Sequence, residues 1–170
     1  MEIKSTLKNR SGEVLNVVYN DIKSELDLSE KEIQGVHAYC FYGDKLVLVY
    51  SDSKGYWTPP GGGVEKEENV LTAVRREVKE ETNMNVLKHR FIGCQDINEL
   101  KGVVSQTRSV CIVEPFGPFV SDPDGEVTKI ELINPKDYKK YFDWGEIGDH
   151  IMLRALELKA QMDLETDYIK

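Results

Sequence analysis

The sequence predicts an α+β protein in which helices pack on a mixed β-sheet, as an α/β/α sandwich. Several short segments rich in β-branched and aromatic residues are separated by polar or glycine-containing turns, which is typical of strands. Only a few segments have helical periodicity, too few for a repeating strand–helix–strand series. The chain has 170 residues, 40% of them hydrophobic, so it can bury one core of ordinary domain size.

The first 32 residues are predicted to be an N-terminal extension that packs on the main domain, which spans 33–170. Within this polar extension, Val14 to Tyr19 has the composition of a strand. Ser29-Glu30-Lys31-Glu32 has the spacing of a capping box, which predicts the start of a short helix.

The main domain is predicted to open with a β-hairpin. Val36 to Tyr42 and Leu46 to Tyr50 are strand-like runs on either side of Gly43-Asp44. Pro59 to Gly63, with two prolines and three glycines, is predicted to be a loop.

The second half of the chain begins with a predicted helix, because Asn69 to Thr82 carries apolar residues at helical spacing. Gln95 to Gln106 is polar and predicted to be a loop, either a mobile substrate loop or a plain connection. Further strands are predicted at Val86–Cys94, Arg108–Val113 and Val127–Ile133, and helices at Pro135–Tyr141 and Gly145–Met162.

Charge limits the classes of partner. The net charge is -8 and the pI is about 5.0, which argues against a protein that tracks a nucleic-acid backbone, because such a protein needs a basic face. A small phosphorylated substrate remains compatible with this charge, since metal ions can bridge an acidic site to a polyphosphate.

The predicted location is the cytoplasm. Cys40, Cys94 and Cys111 are widely spaced in apolar runs, which indicates buried free thiols in a reducing compartment. Met1 to Ser11 lacks the apolar run of a signal peptide, and no stretch has the length and apolarity of a membrane span. We therefore expect no membrane partner.

The helix at Asn69–Thr82 carries carboxylates where apolar residues are expected. On a helical wheel, Glu77 and Glu81 lie within the apolar stripe, and Glu80 lies at its edge. An unpaired buried charge is costly, and the negative end of the helix dipole disfavours anions further. A divalent cation would account for all three carboxylates, since hard ions take oxygen ligands.

The alternative is a solvated acidic face with salt bridges to Arg76 and Lys79. The preceding run of three glycines, 61–63, argues against it, because glycine lets the backbone approach a ligand closely. An ordinary turn explains the glycines alone but not their position just before a helix with three carboxylates.

The segment from Gly62 to Met84 resembles the signature of the Nudix hydrolase family. That signature is Gly, five residues, Glu, seven residues, and then Arg-Glu-apolar-x-Glu-Glu-x-Gly-apolar. This chain has Gly62, Glu68 and then Arg76-Glu77-Val78-Lys79-Glu80-Glu81-Thr82-Asn83-Met84.

The chain departs from the signature at Asn83, where the family has the glycine that ends the helix in a left-handed conformation. Asn is the next most tolerant residue there, so we expect the helix to end in the same way at a cost of about 1 kcal/mol or less. Glu67 stands where many members have glycine, at a position that the signature leaves unconstrained.

The resemblance implies a Nudix-like α/β/α sandwich in which the signature forms a loop, a helix and a second loop. It also implies a Mg²⁺ or Mn²⁺ site. The ligands would be Glu77, Glu80, Glu81 and the backbone carbonyl of Gly61. Glu68 would pair with Arg76 and, together with Gly62, would hold the loop against the helix; the alternative is a plain surface pair.

The implied activity is hydrolysis of a phosphoanhydride bond in a nucleoside di- or triphosphate-type substrate. Glu80 or Glu81 would be the general base. The downstream marks of the ADP-ribose, dinucleoside polyphosphate and NADH subgroups are absent, which favours a nucleoside triphosphate pyrophosphohydrolase. The alternative is a non-catalytic nucleotide-sensing domain, although such domains usually lack carboxylates that this chain retains. Members of the family are often dimers, and the sequence leaves open whether this chain forms a homodimer.

Three more residues are candidates for substrate binding. The rings of Trp57 and Phe41 would stack on a nucleobase, although aromatic residues in strands usually belong to the core. Glu126 is a candidate extra metal ligand or base, and the alternative is a polar hairpin turn.

Overall fold

The computed structural model describes residues 1–120 and 122–167. The predicted domain 33–170 therefore includes four positions, 121 and 168–170, that lie outside the described residues. Within the described part of the chain, the strands are β1 (Glu2–Lys8), β2 (Val14–Asp21), β3 (Ile33–Tyr42), β4 (Lys45–Ser51), β5 (Tyr56–Thr58), β6 (Gly61–Gly63), β7 (Met84–Glu99), β8 (Gly102–Pro115) and β9 (Lys129–Ile133). The helices are α1 (Val70–Thr82) and α2 (Gly145–Asp167), with 3-10 helices at Glu25–Leu28 and Pro135–Lys140.

All of these strands join one mixed sheet. Its order is β1-β2-β7-β8-β3-β4-β5, with β6 paired to β3 and β9 paired to β4. The pair β3–β8 is parallel, while the other pairs are antiparallel. The mixed sheet with few helices confirms the predicted fold class.

One helix packs against each face of the sheet. Residues along β3 alternate between these two faces. Val36, Ala38 and Cys40 belong to the core cluster that contains the apolar residues of α1. Tyr39 and Phe41 belong to the cluster that contains the apolar residues of α2. The α1 face and the α2 face of the sheet thus have separate cores.

Helix α1 begins and ends at asparagines. The side chain of Asn69 accepts a hydrogen bond from the Thr72 N–H at 2.8 Å and caps the N-terminus. Asn83 adopts the left-handed conformation, with φ 54° and ψ 37°, and its N–H donates to Lys79 O at 2.9 Å. The expectation that Asn83 replaces the helix-ending glycine is confirmed.

The N-terminal extension contributes two strands to the sheet. The predicted strand is confirmed as part of β2, which pairs with β7 along Asn16–Asp21 and extends the sheet. Strand β1, at the edge, was not predicted, because only one of its faces is buried and the other is polar. The helix predicted at Ser29 is wrong: Asp27 accepts from the Ser24 N–H at 3.2 Å instead, at the 3-10 helix that buries Leu28.

Two segments predicted to be loops are strands. Gln95 to Gln106 continues β7 and β8 to a turn at 100–101, and Ser105 donates to Asp96 at 2.7 Å. Polar residues fit this strand pair because they bond to each other or face a cleft. The glycines of β6 pair with β3, since the backbone of a glycine run can lie flat against a neighbouring strand.

Candidate active site

The glycine strand β6 pairs with β3 and leaves no room for a side chain at Gly61 or Gly62. A Cβ atom on Gly61 would lie 2.1 Å from the Val36 carbonyl oxygen. A Cβ atom on Gly62 would lie 2.5 Å from Oε1 of Glu77. The glycines therefore allow the carboxylates of α1 to approach the backbone of β6 directly.

Arg76 connects the loop after β6 to helix α1. Its Nε and Nη2 donate to the two oxygens of Glu68, both at 2.9 Å, in a bidentate pair. Nη2 also donates to the Gly63 carbonyl at 2.8 Å. The structure thus brings together the predicted pair, and glutamate 68 also accepts from the Glu65 N–H at 2.8 Å. Bidentate arginine–carboxylate pairs are the strong, geometrically specific kind.

Glu77 and Glu80 both reach the same guanidinium. Nη1 of Arg76 donates to Glu77 at 2.8 Å and to Glu80 at 3.3 Å. Burial raises the pKa of the half-buried Glu77 carboxyl, against the lowering effect of Arg76. These two carboxylates are therefore turned towards Arg76 rather than towards a common centre.

Glu81 is the most deeply buried carboxylate of the helix, with 8% of its surface exposed. Burial, followed by the repulsion of Glu77, raises its pKa to about 8, and the N–H of Gly61, which donates to it, acts in the opposite direction. A buried carboxylate with a raised pKa, next to other carboxylates, is a feature of functional sites more often than of structural ones.

Two charged residues near Glu77 and Glu81 were not predicted from the sequence. Asp122 is 6% exposed and raises the pKa of both Glu77 and Glu81 by repulsion. Lys54 lowers the pKa of Glu81 by attraction. The signal for Asp122 was its position at the start of a turn, where its oxygens accept from the N–H groups of Asp124 and Val127, both at 3.0 Å.

The chemistry of this donor set fits a hard divalent cation, which takes carboxylate and carbonyl oxygens. Glu77 and Glu81 lie beside the backbone of β6, and Glu80 accepts a hydrogen bond from the same Arg76 guanidinium as Glu77. Among residues 1–120 and 122–167, no three acidic, histidine or cysteine side chains converge on one point. Convergence on an ion would therefore require Glu77 and Glu80 to rotate away from Arg76.

A cleft of about 750 Å³ lies on the α2 face of the sheet. Its floor is formed by polar side chains of three neighbouring strands, its walls carry two tryptophans, and its rim is charged. We call it the basic cleft, and define it by His37, Gln95, Gln106 and Arg108 on the floor, Trp57 and Trp144 on the walls, and Lys8, Arg10 and Asp143 at the rim. It adjoins the glycine strand, since His37 pairs with Gly61.

The three substrate-binding candidates lie in different environments. Trp57 lines the basic cleft, where its ring packs edge-on against Tyr141 at 5.8 Å. Phe41 lies in the α2-face core with 0% exposure, so its ring is not available to a base, and this prediction is corrected. Glu126 is 63% exposed and pairs with Lys54 at 3.7 Å, and the buried acid of that turn is Asp122.

Glu67, at the position left unconstrained by the signature, has a φ of 69°. This left-handed conformation favours glycine, and other residues adopt it at a cost of roughly 1–2 kcal/mol. The position is therefore constrained after all, which explains why glycine suits it.

No helix in the described part of the chain combines the length and apolarity needed to cross a membrane.

Comparisons with known proteins identify the family and the fold. A model of the NUDIX domain family matches residues 31–154. An uncharacterised Nudix hydrolase of Bacillus subtilis strain 168, YvcI, is 36% identical over 50 residues. That alignment covers 29% of this chain and 32% of the relative, so the matched segment spans about a third of its length.

Solved structures share the fold. A mutant of the Bacillus subtilis pyrophosphohydrolase BsRppH has a TM-score of 0.67 at 20% identity, covering 91% of this chain and 97% of its own. The NUDIX domain of Shewanella oneidensis NrtR in complex with ADP ribose has a TM-score of 0.57 at 16% identity, covering 80% and 92%. A NUDIX hydrolase from Nitrosomonas europaea has a TM-score of 0.56 at 19% identity, covering 76% and 90%.

Proposed function

The chain belongs to the NUDIX domain family, and from this premise we propose that it hydrolyses a phosphoanhydride bond in a nucleotide-like substrate with the help of Mg²⁺ or Mn²⁺. The observation that carries the proposal is Glu81, a carboxylate buried beside Glu77 and against the glycine strand. As a structural element this arrangement costs stability, since like charges are buried together. Clustered carboxylates are, however, expected in a site that binds a divalent cation.

The proposed ligands of the ion are Glu77, Glu80, Glu81 and the carbonyl of Gly61. When bound, the ion supplies positive charge against the anionic phosphates and so lowers the repulsion that protects a phosphoanhydride from attack. Without the ion, Arg76 compensates part of the negative charge of the carboxylates, because its Nη1 donates to Glu77 and Glu80. Glu68 and the Gly63 carbonyl hold Arg76 in place from the other side.

The general base is proposed to be Glu81 or Glu80, and the burial of Glu81 favours it. A base works best when its pKa lies near the working pH, and in the metal-free protein burial raises the pKa of Glu81 above its ordinary value. Glu80 is more exposed, with 28% of its side chain accessible, and bonds to Arg76. In either case the carboxylate takes a proton from the attacking water, and the phosphoryl group on the far side of the bridge leaves.

The proposed substrate is nucleotide-like, with a nucleoside triphosphate favoured. A base has room in the basic cleft, where Trp57 and Trp144 offer aromatic surface next to His37 and the glycine strand. A substrate that reaches from the glycine strand β6 into the basic cleft would place its phosphates at the carboxylates of α1 and its nucleoside in the cleft. The ADP ribose bound to the NrtR domain is also of this general class.

The test is hydrolysis of a substrate panel by purified protein with Mg²⁺. Nucleoside triphosphates, oxidised triphosphates, ADP-ribose, NADH and dinucleoside polyphosphates would be followed by release of pyrophosphate or nucleoside monophosphate. Glu81→Gln and a chelator are the negative controls, and Glu114→Gln, at an exposed carboxylate of β8, is the matched control. We expect turnover that both negative controls abolish and the matched control keeps.

The second candidate function is a non-catalytic nucleotide-binding domain. It would give tight nucleotide binding without turnover for every member of the panel. The retained carboxylates Glu77, Glu80 and Glu81 favour the enzyme, since non-catalytic members of the family usually lack carboxylates of the signature.

A further inference from the structure

The N-terminal hairpin forms one wall of the basic cleft. Strand β1 and the turn after it contribute residues 5–10, including Lys8 and Arg10. These residues precede the segment that matches the family model, 31–154. The hairpin is held in place through β2, which pairs with β7, so this wall belongs to the same sheet as the floor.

Arg108, on the floor, is a buried cation without a counterion. The residue is 3% exposed, and none of the described carboxylates lies within salt-bridge distance of it. Its Nη1 donates to the Thr107 carbonyl at 3.1 Å and its Nη2 to Gln106 Oε1 at 3.2 Å. Its Nε has no partner among the described residues. The guanidinium carbon lies 5.3 Å from the centre of the Trp144 ring.

A charge in this state is expensive. Burial lowers the pKa of the Arg108 guanidinium, which reflects the cost of keeping it charged there. Neutral oxygens offset only part of the lost hydration. A residue with a purely structural role would be better replaced by an apolar one, so the cation points to a ligand that supplies the missing negative charge.

The charge of the surrounding cleft has the same sign. Lys8, Arg10 and Arg108 line it, against one carboxylate, Asp143, although the chain as a whole has a net charge of -8. Asp143 is partly engaged, because it accepts from the Gly145 N–H at 2.9 Å. His37 adds no charge, since burial lowers its pKa well below the ordinary value.

We propose that Arg108 is a specificity-determining residue that binds a second phosphate group of the substrate, remote from the scissile phosphoanhydride, with Lys8 and Arg10 assisting at the rim. This inference rests on the proposed function, because it names the class of nucleotide at that same site. The substrate would be a nucleoside 5′-polyphosphate with a further phosphate on its sugar.

The position of Arg108 separates this phosphate from the reacting one. Gly61, His37 and Arg108 are partners on three neighbouring strands, so two strand spacings, roughly 10 Å, separate the backbones of Gly61 and Arg108. The reacting phosphates belong at the glycine strand, beside Glu77 and Glu81. The guanidinium is therefore placed to contact another part of the nucleotide.

A neutral base edge is the competing ligand, because arginine also hydrogen-bonds the two acceptors of guanine. The uncompensated charge of Arg108 and the basic rim favour an anion, since a neutral acceptor would leave the buried charge without a counterion.

The test is equilibrium binding of nucleotides that lack a phosphoanhydride, in the presence of a chelator. The probes are the 3′,5′- and 2′,5′-bisphosphates of adenosine and guanosine, compared with AMP and GMP. The readout is tryptophan fluorescence, which reports on this cleft because both tryptophans of the chain line it. The variants are Arg108→Met and, as matched control, Arg75→Met, at an exposed arginine of α1.

We expect a bisphosphate to bind wild-type protein roughly 10–100-fold more tightly than the matching monophosphate, the range expected for charge-assisted hydrogen bonds. Arg108→Met should reduce this ratio to about one, and Arg75→Met should keep it. Lys8→Met and Arg10→Met, at the rim, should each reduce it by a smaller factor, which provides a second test if the buried variant fails to fold.

Equal binding of bisphosphate and monophosphate by wild-type protein would overturn the proposal, and so would a ratio that Arg108→Met leaves unchanged. A loss confined to guanosine nucleotides, whatever their phosphates, would identify the base edge as the ligand instead. Because no probe is hydrolysed and no metal is present, this test is independent of turnover, so failure of the proposed function would be seen separately in the substrate panel.

Discussion

The two sides of strand β3 hold ionisable groups of opposite type. On the α1 side, Glu81 is buried beside the half-buried Glu77. On the α2 side, Arg108 is buried, and none of the described carboxylates pairs with it. If these groups served the fold alone, an ion pair between them would offset part of the cost of burying both. Because the sheet separates them, we infer that each binds a ligand. The ligand is a cation on the α1 side and an anion on the α2 side.

Arg76 shows what a structural arginine looks like in the same molecule. Its bonds to Glu68 and to the Gly63 carbonyl join the loop to the helix, and it also donates to two carboxylates of the helix itself, Glu77 and Glu80. Among the residues that the structure describes, Arg108 donates only to groups of its own strand, Thr107 and Gln106. An arginine that stabilises the protein makes several hydrogen bonds to other segments of the chain. An arginine that binds a ligand makes few such bonds.

The largest expected effect is on turnover. It concerns the carboxylates Glu77, Glu80 and Glu81 of α1, which we call the acidic side. Glu81→Gln keeps the shape of the side chain but removes its charge and its capacity as a base, so we expect turnover to fall by about 10²–10⁴-fold. Steady-state kinetics with the best substrate of the panel would measure this. Glu114→Gln should leave turnover unchanged, and equal losses in the two variants would contradict the role of Glu81.

A direct comparison of the two arginines is expected to give the next largest effect. Arg76→Met should lower the free energy of unfolding by about 2–3 kcal/mol, because it leaves several partly buried carboxylates unpaired. Arg108→Met should leave it unchanged or raise it, since an uncompensated buried charge is removed. Urea denaturation of the metal-free protein measures both, with Arg75→Met as the exposed control. Similar losses in the two variants would show that Arg108 is structural.

The acidic side should also make stability depend on pH. Burial raises the pKa of Glu81 from 4.5 to about 8, so the folded state holds a proton that the unfolded chain releases. The metal-free protein therefore loses stability as the pH rises from 4.5 towards 8.

Glu81→Gln lacks this titration. It should be more stable than wild type at pH 8, by up to roughly 4 kcal/mol, and equally stable near pH 4. Thermal unfolding across this pH range, with a chelator present, measures the difference. A constant difference between the two proteins would mean that Glu81 does not titrate as described.

The smallest expected effect concerns the loop before α1. Glu67→Gly should raise the free energy of unfolding by about 0.5–1 kcal/mol, because glycine adopts a positive φ without strain but loses more entropy on folding. Glu67→Ala removes the same carboxylate and keeps the strain, so it should give no gain. Equal gains in both variants would show that charge, rather than φ, matters at this position.

The acidic side was predictable from the sequence because its residues lie close together in the chain. Helical periodicity placed Glu77 and Glu81 on the buried face, and the spacing from Gly62 to Asn83 carried the family signature. Local rules of this kind, such as the helix ending at Asn83, need no knowledge of the tertiary structure.

The basic cleft was not predictable, because its residues come together only through strand pairing. Lys8 and Arg108 are distant in the chain and meet through the pairs β1–β2, β2–β7 and β7–β8. The strand ends that carry Gln95 and Gln106 look like a loop, since a polar strand facing a cleft lacks apolar alternation. Phe41 had the same aromatic character as Trp57, and only the alternation of β3 places it in the core.

The most direct test of the central account is a titration of the protein with Mn²⁺, followed by the electron paramagnetic resonance of the free ion. Wild-type protein and Arg108→Met should bind Mn²⁺ alike, and Glu81→Gln should bind it at least about 10-fold more weakly, because one charged ligand is lost. Absence of binding to wild-type protein, or equal binding by all three, would contradict the assignment of the acidic side as the cation site.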